Sequence, residues 1–246
     1  PAVIDEFIAD PVYGPRLRDA VQPGQTLLMG ANRVEADGAR RYRYFNTLVA
    51  FRREDQALRV TGFYDKNRLV PFGEFIPLGD LAGKLGIRSL VHMPEDFTAG
   101  PPPRPLVVEG VPAVQVLICY EALFPRLAGG PRPKWILNVS NDAWFGRTSG
   151  PWQHLNIASY RAIEEGLPIV RSTPTGVSAV IDAQGRIVPG KSLGLGQFGV
   201  IDARLPAPAP PTPYSRWGDG PFAGLLVLSA VAWGLGRRRR PRSGGD

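Results

Sequence analysis

The sequence predicts a layered α/β domain. Short apolar runs rich in β-branched residues recur between Gly and Pro, two stretches carry helical spacing, and neighbouring runs 44–52 and 57–64 are close enough to form a hairpin. The predicted strands are TLLMGANRV (26–34), YFNTLVAFR (44–52), ALRVTGFY (57–64), PLVVEG (105–110), VPAVQVLICY (111–120), KWILNVS (134–140), LPIVRSTP (167–174), GVSAVIDAQG (176–185) and FGVIDAR (198–204). Some alternate and others are continuously apolar, as strands covered on one or both faces do. In PWQHLNIASYRAIEEG (151–166), Trp152, Leu155, Ala158, Ala162 and Ile163 fall three or four residues apart, Pro151 suits a first turn and Gly166 a stop. A second helix is expected over 121–128. Strands interleaved with helices, together with a hairpin, favour layered α/β packing over a purely parallel doubly wound sheet.

A chain of 246 residues with 43% hydrophobic content is long enough for one large core, and no internal linker precedes residue 205. The net charge of +7 is concentrated at the end of the chain. Five arginines between 237 and 242, set against Asp246, account for +4, which leaves +3 for residues 1–236. That distribution excludes a nucleic-acid footprint. The chain opens on Pro1 with no charged-then-apolar leader and reads as a piece of something longer.

LPAPAPPTPYS (205–215) is a Pro/Ala spacer, expected to be extended and to close the globular domain. PFAGLLVLSAVAWGLG (221–236) then runs 16 residues without a charge and without a polar face, followed by RRRRPR. A bilayer needs about 20 apolar residues, so the expected span is 217–236, with Trp217, Trp233 and snorkelling arginines extending it. The arginines would hold the tail 237–246 in the cytoplasm and place the preceding domain in the periplasm.

Cys119 is the only cysteine, and it stands where the apolar run QVLIC gives way to polar residues. A buried cysteine is more often a small hydrophobe than a nucleophile. A reactive one needs a partner that lowers its pKa or takes its proton. His92 in a loop and His154 on the predicted helix are the two available histidines, each more often structural or solvated than catalytic. Lys66, just after a strand, offers another solution with Gly73 and Glu74 in the same loop and with Tyr120 and Glu121 directly after the thiol.

FYDKNRLVPFGEFIP (63–77), VLICYEALFP (116–125) and LNVSNDAWFG (137–146) together resemble the nitrilase-type catalytic domain of the apolipoprotein N-acyltransferases, over about residues 30–202. The resemblance implies a four-layer α-β-β-α sandwich followed by one C-terminal transmembrane helix. It also implies a Glu-Lys-Cys triad, with Cys119 as nucleophile and Lys66 as the catalytic lysine. Glu74 matches a further carboxylate near the site, Tyr120 and Glu121 match the pair after the nucleophile, and Asn141, Asp142 and Trp144 fall near the substrate pocket. The family's general-base glutamate ends a Trp-Pro-Glu motif. It is expected just upstream of Pro1, since the surroundings of Glu6 do not match.

The implied reaction moves an sn-1 acyl chain from a phospholipid, through a Cys119 thioester, to the amine of a diacylglyceryl-cysteine in an apolipoprotein. Lys66 and a backbone N–H near Tyr120 would hold the oxyanion, and Glu74 and Glu121 would orient Lys66 or the incoming amine. The expected partners are the phospholipid donor, the diacylglyceryl-apolipoprotein acceptor and membrane lipid, with the protein acting as a monomer in the bacterial inner membrane. The loops 78–93 and 144–152 carry aromatic and aliphatic residues that fit a lipid-facing lid or ordinary core equally well. No metal-ligand cluster, phosphate loop or dinucleotide fingerprint appears, so no cofactor and no metal are expected. Two rival readings are a nitrilase-fold amidase or carbamoyl hydrolase that transfers to water, and an inactive membrane-tethered scaffold of the same fold.

Overall fold

The computed structural model describes residues 10–38, 42–55, 57–77, 96–125 and 129–238. The loop 78–93 with His92, Glu6, and the basic tail from residue 239 lie outside the described residues. In chain order the elements are α1 (Tyr13–Asp19), β1 (Thr26–Ala36), β2 (Tyr42–Arg53), β3 (Leu58–Asp65), β4 (Leu106–Val108), β5 (Val111–Ile118) and a 3-10 turn at Cys119–Leu123. They continue with β6 (Trp135–Val139), a second 3-10 turn at Asp142–Phe145, α2 (Gly150–Glu165), β7 (Ile169–Ser172), β8 (Ser178–Ile181), β9 (Ile187–Leu193), α3 (Pro213–Trp217) and α4 (Gly220–Arg238).

Two sheets form. β1-β2-β3 is an antiparallel meander, and the predicted hairpin is β2 paired with β3. The second sheet has the order β4-β5-β6-β7-β8-β9, in which β5, β6 and β7 run parallel and the outer strands antiparallel. The alternation of side chains along β5 decides how the layers stack. Val114, Val116 and Ile118 point to the first sheet and pack with Leu48, Tyr64, Trp135 and Leu137. Leu117, one residue out of phase, faces the other way and packs with Ile136, Leu155, Ala158 and Ala162 under α2. On the far side of the first sheet, Val49, Phe51 and Leu58 receive Leu17 of α1. The order from α1 through two sheets to α2 is therefore the predicted α-β-β-α sandwich.

Several expectations are corrected. The segment 198–204 is not a strand; Phe198 and Val200 are more than 90% exposed, and the alternation has no neighbouring strand to bury it. The edge strand is instead β9, whose Pro189 and Gly190 (φ 71°) hide it from pattern reading and are tolerated because only one side pairs. Of the expected helix over 121–128, residues 126–128 lie outside the described residues, and residues 121–123 belong to the five-residue 3-10 turn Cys119–Leu123, after which Phe124 turns extended ahead of Pro125. Helix α2 is present with Gly166 in the left-handed C-cap, but its buried face is rotated from the predicted stripe. His154, Leu155, Ala158, Arg161 and Ala162 are buried, whereas Trp152 and Ile163 are about half exposed.

The Pro/Ala segment is extended and docked to the body. Ala209 N–H donates to the Gly166 carbonyl at 2.9 Å, the Ala209 carbonyl accepts from Arg132 at 2.9 Å, and Thr212 bonds the Glu164 carbonyl. After α3, Gly218 breaks the chain (φ 54°) and α4 begins. No helix among the described residues is long and apolar enough to cross a membrane. The expected span 217–236 is thus shortened at its start, and its 16 charge-free residues rise only about 24 Å against a hydrocarbon core of about 30 Å. Phe222, Leu225, Leu226, Val227, Leu228, Val231 and Trp233 of α4 are all exposed.

Candidate active site

Cys119 occupies the first position after β5, at the carboxyl end of the parallel strands, where open α/β sheets place their ligands. Its φ is 51°, one of two left-handed non-glycine residues among those described, and its side chain is half-buried. A non-glycine residue in this region costs about 1–3 kcal/mol and persists only where its surroundings enforce it. One contact on this turn comes from Glu121, two residues on. One of its oxygens accepts the Ile118 N–H at 2.8 Å, which caps the turn from inside.

The other Glu121 oxygen reaches across to the first sheet. It accepts the Tyr64 hydroxyl at 2.9 Å and the backbone N–H groups of Asn67 at 2.9 Å and Arg68 at 3.2 Å. One buried carboxylate thereby ties residue 118 to residue 67, the chain neighbours of Cys119 and Lys66. All of its donors are neutral, and burial pushes its carboxyl above the usual range despite them. Burial, reinforced by the adjacent Glu121, also pushes the Tyr64 phenol up.

Lys66 leaves the end of β3, which is pinned from below. Arg33 forks onto Asp65 at 3.1 and 2.6 Å while lying over the rings of Phe45 and Phe63, and Thr47 donates to Asp65 at 2.6 Å. The Lys66 N–H continues the ladder to the Asn46 carbonyl, and the Lys66 carbonyl accepts from Gly100. Gly100 must be glycine here: an added Cβ would lie 2.3 Å from the Asp65 carbonyl oxygen. The Lys66 side chain is only 1% exposed, and its Nζ donates to both oxygens of Glu74, at 2.9 and 2.7 Å. Glu74 is fixed in turn by Asn46 Nδ2 at 2.9 Å and the Val70 N–H at 2.8 Å. Phe72 (φ 60°), exposed at the tip of the same loop, is the second left-handed residue.

Of the two carboxylates expected to orient Lys66 or the incoming amine, Glu74 holds the Lys66 amine, whereas Glu121 serves the backbone of the turn and loop. Tyr120 is half-buried and meets Phe124 edge-on at 5.1 Å, with Arg68 over the far ring at 4.2 Å. Asn141 caps the second 3-10 turn and accepts from Thr175 at 2.7 Å. Trp144 is 87% exposed. Asp142 does not face an open pocket. It is fully buried and accepts from Arg171 Nη2 at 2.6 Å and Ser140 Oγ at 2.7 Å, with His154 Nδ1 at 2.9 Å.

Burial pushes the Asp142 carboxyl up, but the His154 hydrogen bond and the Arg171 charge outweigh it and hold the group below the usual carboxylate range. Arg171 also bonds the Asn138 amide oxygen and donates to the Val177 carbonyl. His154 Nε2 lies 3.2 Å from the Cys119 carbonyl oxygen. Asn138, Asp142 and Arg171 form a network that sequence reasoning missed as such. A signal was present: Asn138 in WILNVS and Arg171 in LPIVRSTP interrupt strands that otherwise read as buried, and pairing in register sets them side by side.

Comparison with known proteins agrees with this architecture. The chain is 51% identical over 233 residues to the apolipoprotein N-acyltransferase of Caulobacter vibrioides, covering 94% of this chain and 44% of that protein. It is 49% identical over 200 residues to the apolipoprotein N-acyltransferase of Bradyrhizobium diazoefficiens, covering 80% and 36%. The chain thus spans less than half the length of these relatives. Among solved structures, the NitFhit protein of C. elegans superimposes with a TM-score of 0.50 at 20% identity, covering 75% of this chain and 44% of that one, a likeness of fold. The carbon-nitrogen hydrolase family model matches residues 16–209, which include both sheets, α2 and every site residue above, and the chain belongs to that family.

Proposed function

We propose that this chain is the acyl-transfer domain of an apolipoprotein N-acyltransferase. The observation that carries the reading is the left-handed Cys119 tied through Glu121 to the loop that buries the Lys66–Glu74 pair. A buried ammonium held by one carboxylate is a preorganised positive charge for a developing oxyanion. In a water-poor site, loss of one such donor costs about 10²–10³ in rate.

In the first half-reaction the carboxylate base expected upstream of Pro1 takes the Cys119 thiol proton. The sulfur bonds to the sn-1 ester carbonyl carbon of a phospholipid. The oxyanion is held by Lys66 and a backbone N–H near Tyr120, the carbon–oxygen bond breaks, and the leaving alkoxide takes the proton from the base as lysophospholipid departs. In the second half-reaction the neutral α-amine of a diacylglyceryl-cysteine attacks the thioester carbon. The carbon–sulfur bond breaks, the amine proton passes through the base to the thiolate, and an amide remains.

Residues 1–204 are the catalytic domain in this reading, 205–216 the strap, and 217–236 the segment that enters the membrane. The all-round exposure of α4's apolar side chains supports that role, because such a helix has no protein surface to cover and a lipid phase would receive it. The arginines at 237–242 then lie on the cytoplasmic side and the catalytic domain in the periplasm of a bacterial inner membrane. A tether confines the site beside two membrane-bound substrates, an advantage of effective concentration that an amidase acting in water would not need.

The test is intact mass spectrometry of the full-length protein after incubation with detergent-solubilised phosphatidylethanolamine, alongside Cys119→Ala. The expected result is a hydroxylamine-labile gain of one fatty acyl chain in the wild type alone. Hydrolysis of small amides or carbamoyl compounds with no acyl adduct would move the reading to an amidase. A folded protein with neither activity would move it to a scaffold.

A further inference from the structure

The mechanism above uses the groups on the first-sheet side of Cys119 and leaves unused a buried set on the opposite side, under α2. His154 is 4% exposed, Asp142 is sealed, and Arg171 is 1% exposed. A cysteine with a buried histidine and aspartate nearby invites comparison with a Cys-His-Asp triad, but the geometry is different. The imidazole Nε2 points at the backbone carbonyl oxygen of Cys119, 3.2 Å away.

We propose that His154 is a positioning residue for the nucleophile: its Nε2–H donates to the Cys119 carbonyl and holds residue 119 in the left-handed conformation, while Asp142 and Arg171 hold the ring. This inference rests on the reading of Cys119 as the acylated residue. The Cys119 carbonyl is an acceptor, so Nε2 must carry a proton for the contact to be a hydrogen bond. Nδ1 sits between Asp142 Oδ1 at 2.9 Å and Arg171 Nη2 at 3.2 Å. A ring protonated at both nitrogens donates to Asp142 and to the Cys119 carbonyl at once, and a neutral ring keeps the second bond in the tautomer whose Nδ1 accepts from the guanidinium.

The ring has little freedom to leave that position. Phe145 meets it edge-on with centroids 5.8 Å apart, and Asp142 is locked by Arg171, Ser140 and the close approach of Gly176, where an added Cβ would fall 2.3 Å from Asp142 Oδ2. Arg171, on β7, is anchored in turn by Asn138, its in-register partner on β6, and by the carbonyl of Val177 just before β8. The chain of contacts therefore runs from the sheet to the backbone of residue 119 through buried, hydrogen-bonded side chains. Glu121 holds the same turn from the other end, through the Ile118 N–H. The strained residue is thus gripped on both sides, by a carboxylate that accepts and by an imidazole that donates.

The experiment compares His154→Met, which keeps the bulk and loses the donor, with His154→Gln, which keeps an N–H donor, in the full-length protein. Iodoacetamide alkylation of Cys119 reads nucleophile presentation without any lipid, and single-turnover acyl-enzyme formation from phosphatidylethanolamine is measured beside it. The expected result for His154→Met is a slowing of alkylation by about tenfold and an equal drop in the maximal acylation rate, the size of one lost hydrogen bond. The apparent KM for phospholipid should stay unchanged, and His154→Gln should recover both rates to within about threefold.

Wild-type alkylation in a folded His154→Met protein would overturn the proposal, as would a His154→Gln protein no faster than His154→Met. If His154→Met does not fold, His154→Gln decides alone: alkylation within about threefold of wild type supports the donor role, and a larger loss overturns it. Alkylation that responds as predicted, with no acyl adduct in any variant, would reject the acyltransferase reading and keep the role of His154.

Discussion

Glu121, two residues after Cys119, and Asp142, linked to the Cys119 carbonyl through His154, are both essentially inaccessible to water and are displaced in opposite directions. Glu121 is supplied only with neutral donors, three backbone N–H groups and the Tyr64 hydroxyl. Asp142 has a guanidinium at 2.6 Å and an imidazole at 2.9 Å. Desolvation is the largest single influence on both. It prevails where the partners are neutral donors and is overcome where the His154 hydrogen bond and the Arg171 charge act together. The difference fits their positions. Glu121 joins two irregular pieces of backbone, a loop and a turn, which offer N–H groups. Asp142 sits over the ends of β6 and β7, where a long side chain can arrive from an adjacent strand.

The largest expected break in this comparison is Arg171→Met. It removes a charge that, after the His154 hydrogen bond, holds Asp142 ionised and leaves a buried carboxylate without its guanidinium partner, a change that typically costs about 3–5 kcal/mol. Urea denaturation of the variant should show that loss, and the Asp142 carboxyl should move up toward the behaviour of Glu121. Wild-type stability in Arg171→Met would mean that water or rearrangement supplies the missing partner. Gly176→Ala attacks the same carboxylate by volume, because the new Cβ would fall 2.3 Å from Asp142 Oδ2. A loss of about 1–3 kcal/mol is expected, the usual range for overpacking, and none if the loop at 173–176 shifts outward.

The pH dependence of stability sharpens the comparison because the two signs oppose. Asp142 has a folded value below its unfolded one near 3.8. Its contribution is therefore fully present above about that pH and is lost as pH falls through the lower folded value. Glu121 has a folded value above its unfolded one near 4.5. Its contribution is fully present below that pH and is lost as pH rises through the higher folded value. Denaturation midpoints across pH should thus lose part of their acid-side decline in Asp142→Asn and part of their decline above 4.5 in Glu121→Gln. If both variants flatten the same limb, the contrast between the two carboxylates fails.

The two halves of the site were unequally legible in the sequence. Lys66 and Glu74 are eight residues apart in one loop, and Glu121 is two residues from Cys119, so short quoted motifs contained them. The other half is non-local: Asn138, Asp142, His154 and Arg171 come from a strand end, a 3-10 turn, a helix and a second strand. Only the register of β6 on β7 and the rotation of α2 bring them together. The rotation is what the apolar pattern concealed, since Trp152 and Ile163 fit the helical stripe but are exposed, while polar His154 and Arg161 take the buried face. The strands of the two sheets were readable wherever alternation was backed by a partner. They failed at 198–204, which alternates with no neighbour, and at β9, where Pro189 and Gly190 break the pattern at an edge.

The smallest expected effect isolates what a neutral donor contributes. Tyr64→Phe removes the hydroxyl that reaches Glu121 at 2.9 Å and leaves the two backbone N–H groups of Asn67 and Arg68 on the same oxygen. Because that oxygen keeps other partners, the cost should be one net hydrogen bond, about 0.5–1.5 kcal/mol, well short of the penalty for an orphaned buried group. With one donor fewer, the Glu121 carboxyl should move up, and the loss of stability on raising pH, which still begins near the unfolded value, should continue to higher pH than in the wild type. An unchanged profile would mean that the backbone donors alone set the ionisation of Glu121. The hydroxyl would then serve packing between Tyr64 and Ile118, and the contrast with Asp142 would rest on the absence of a countercharge alone.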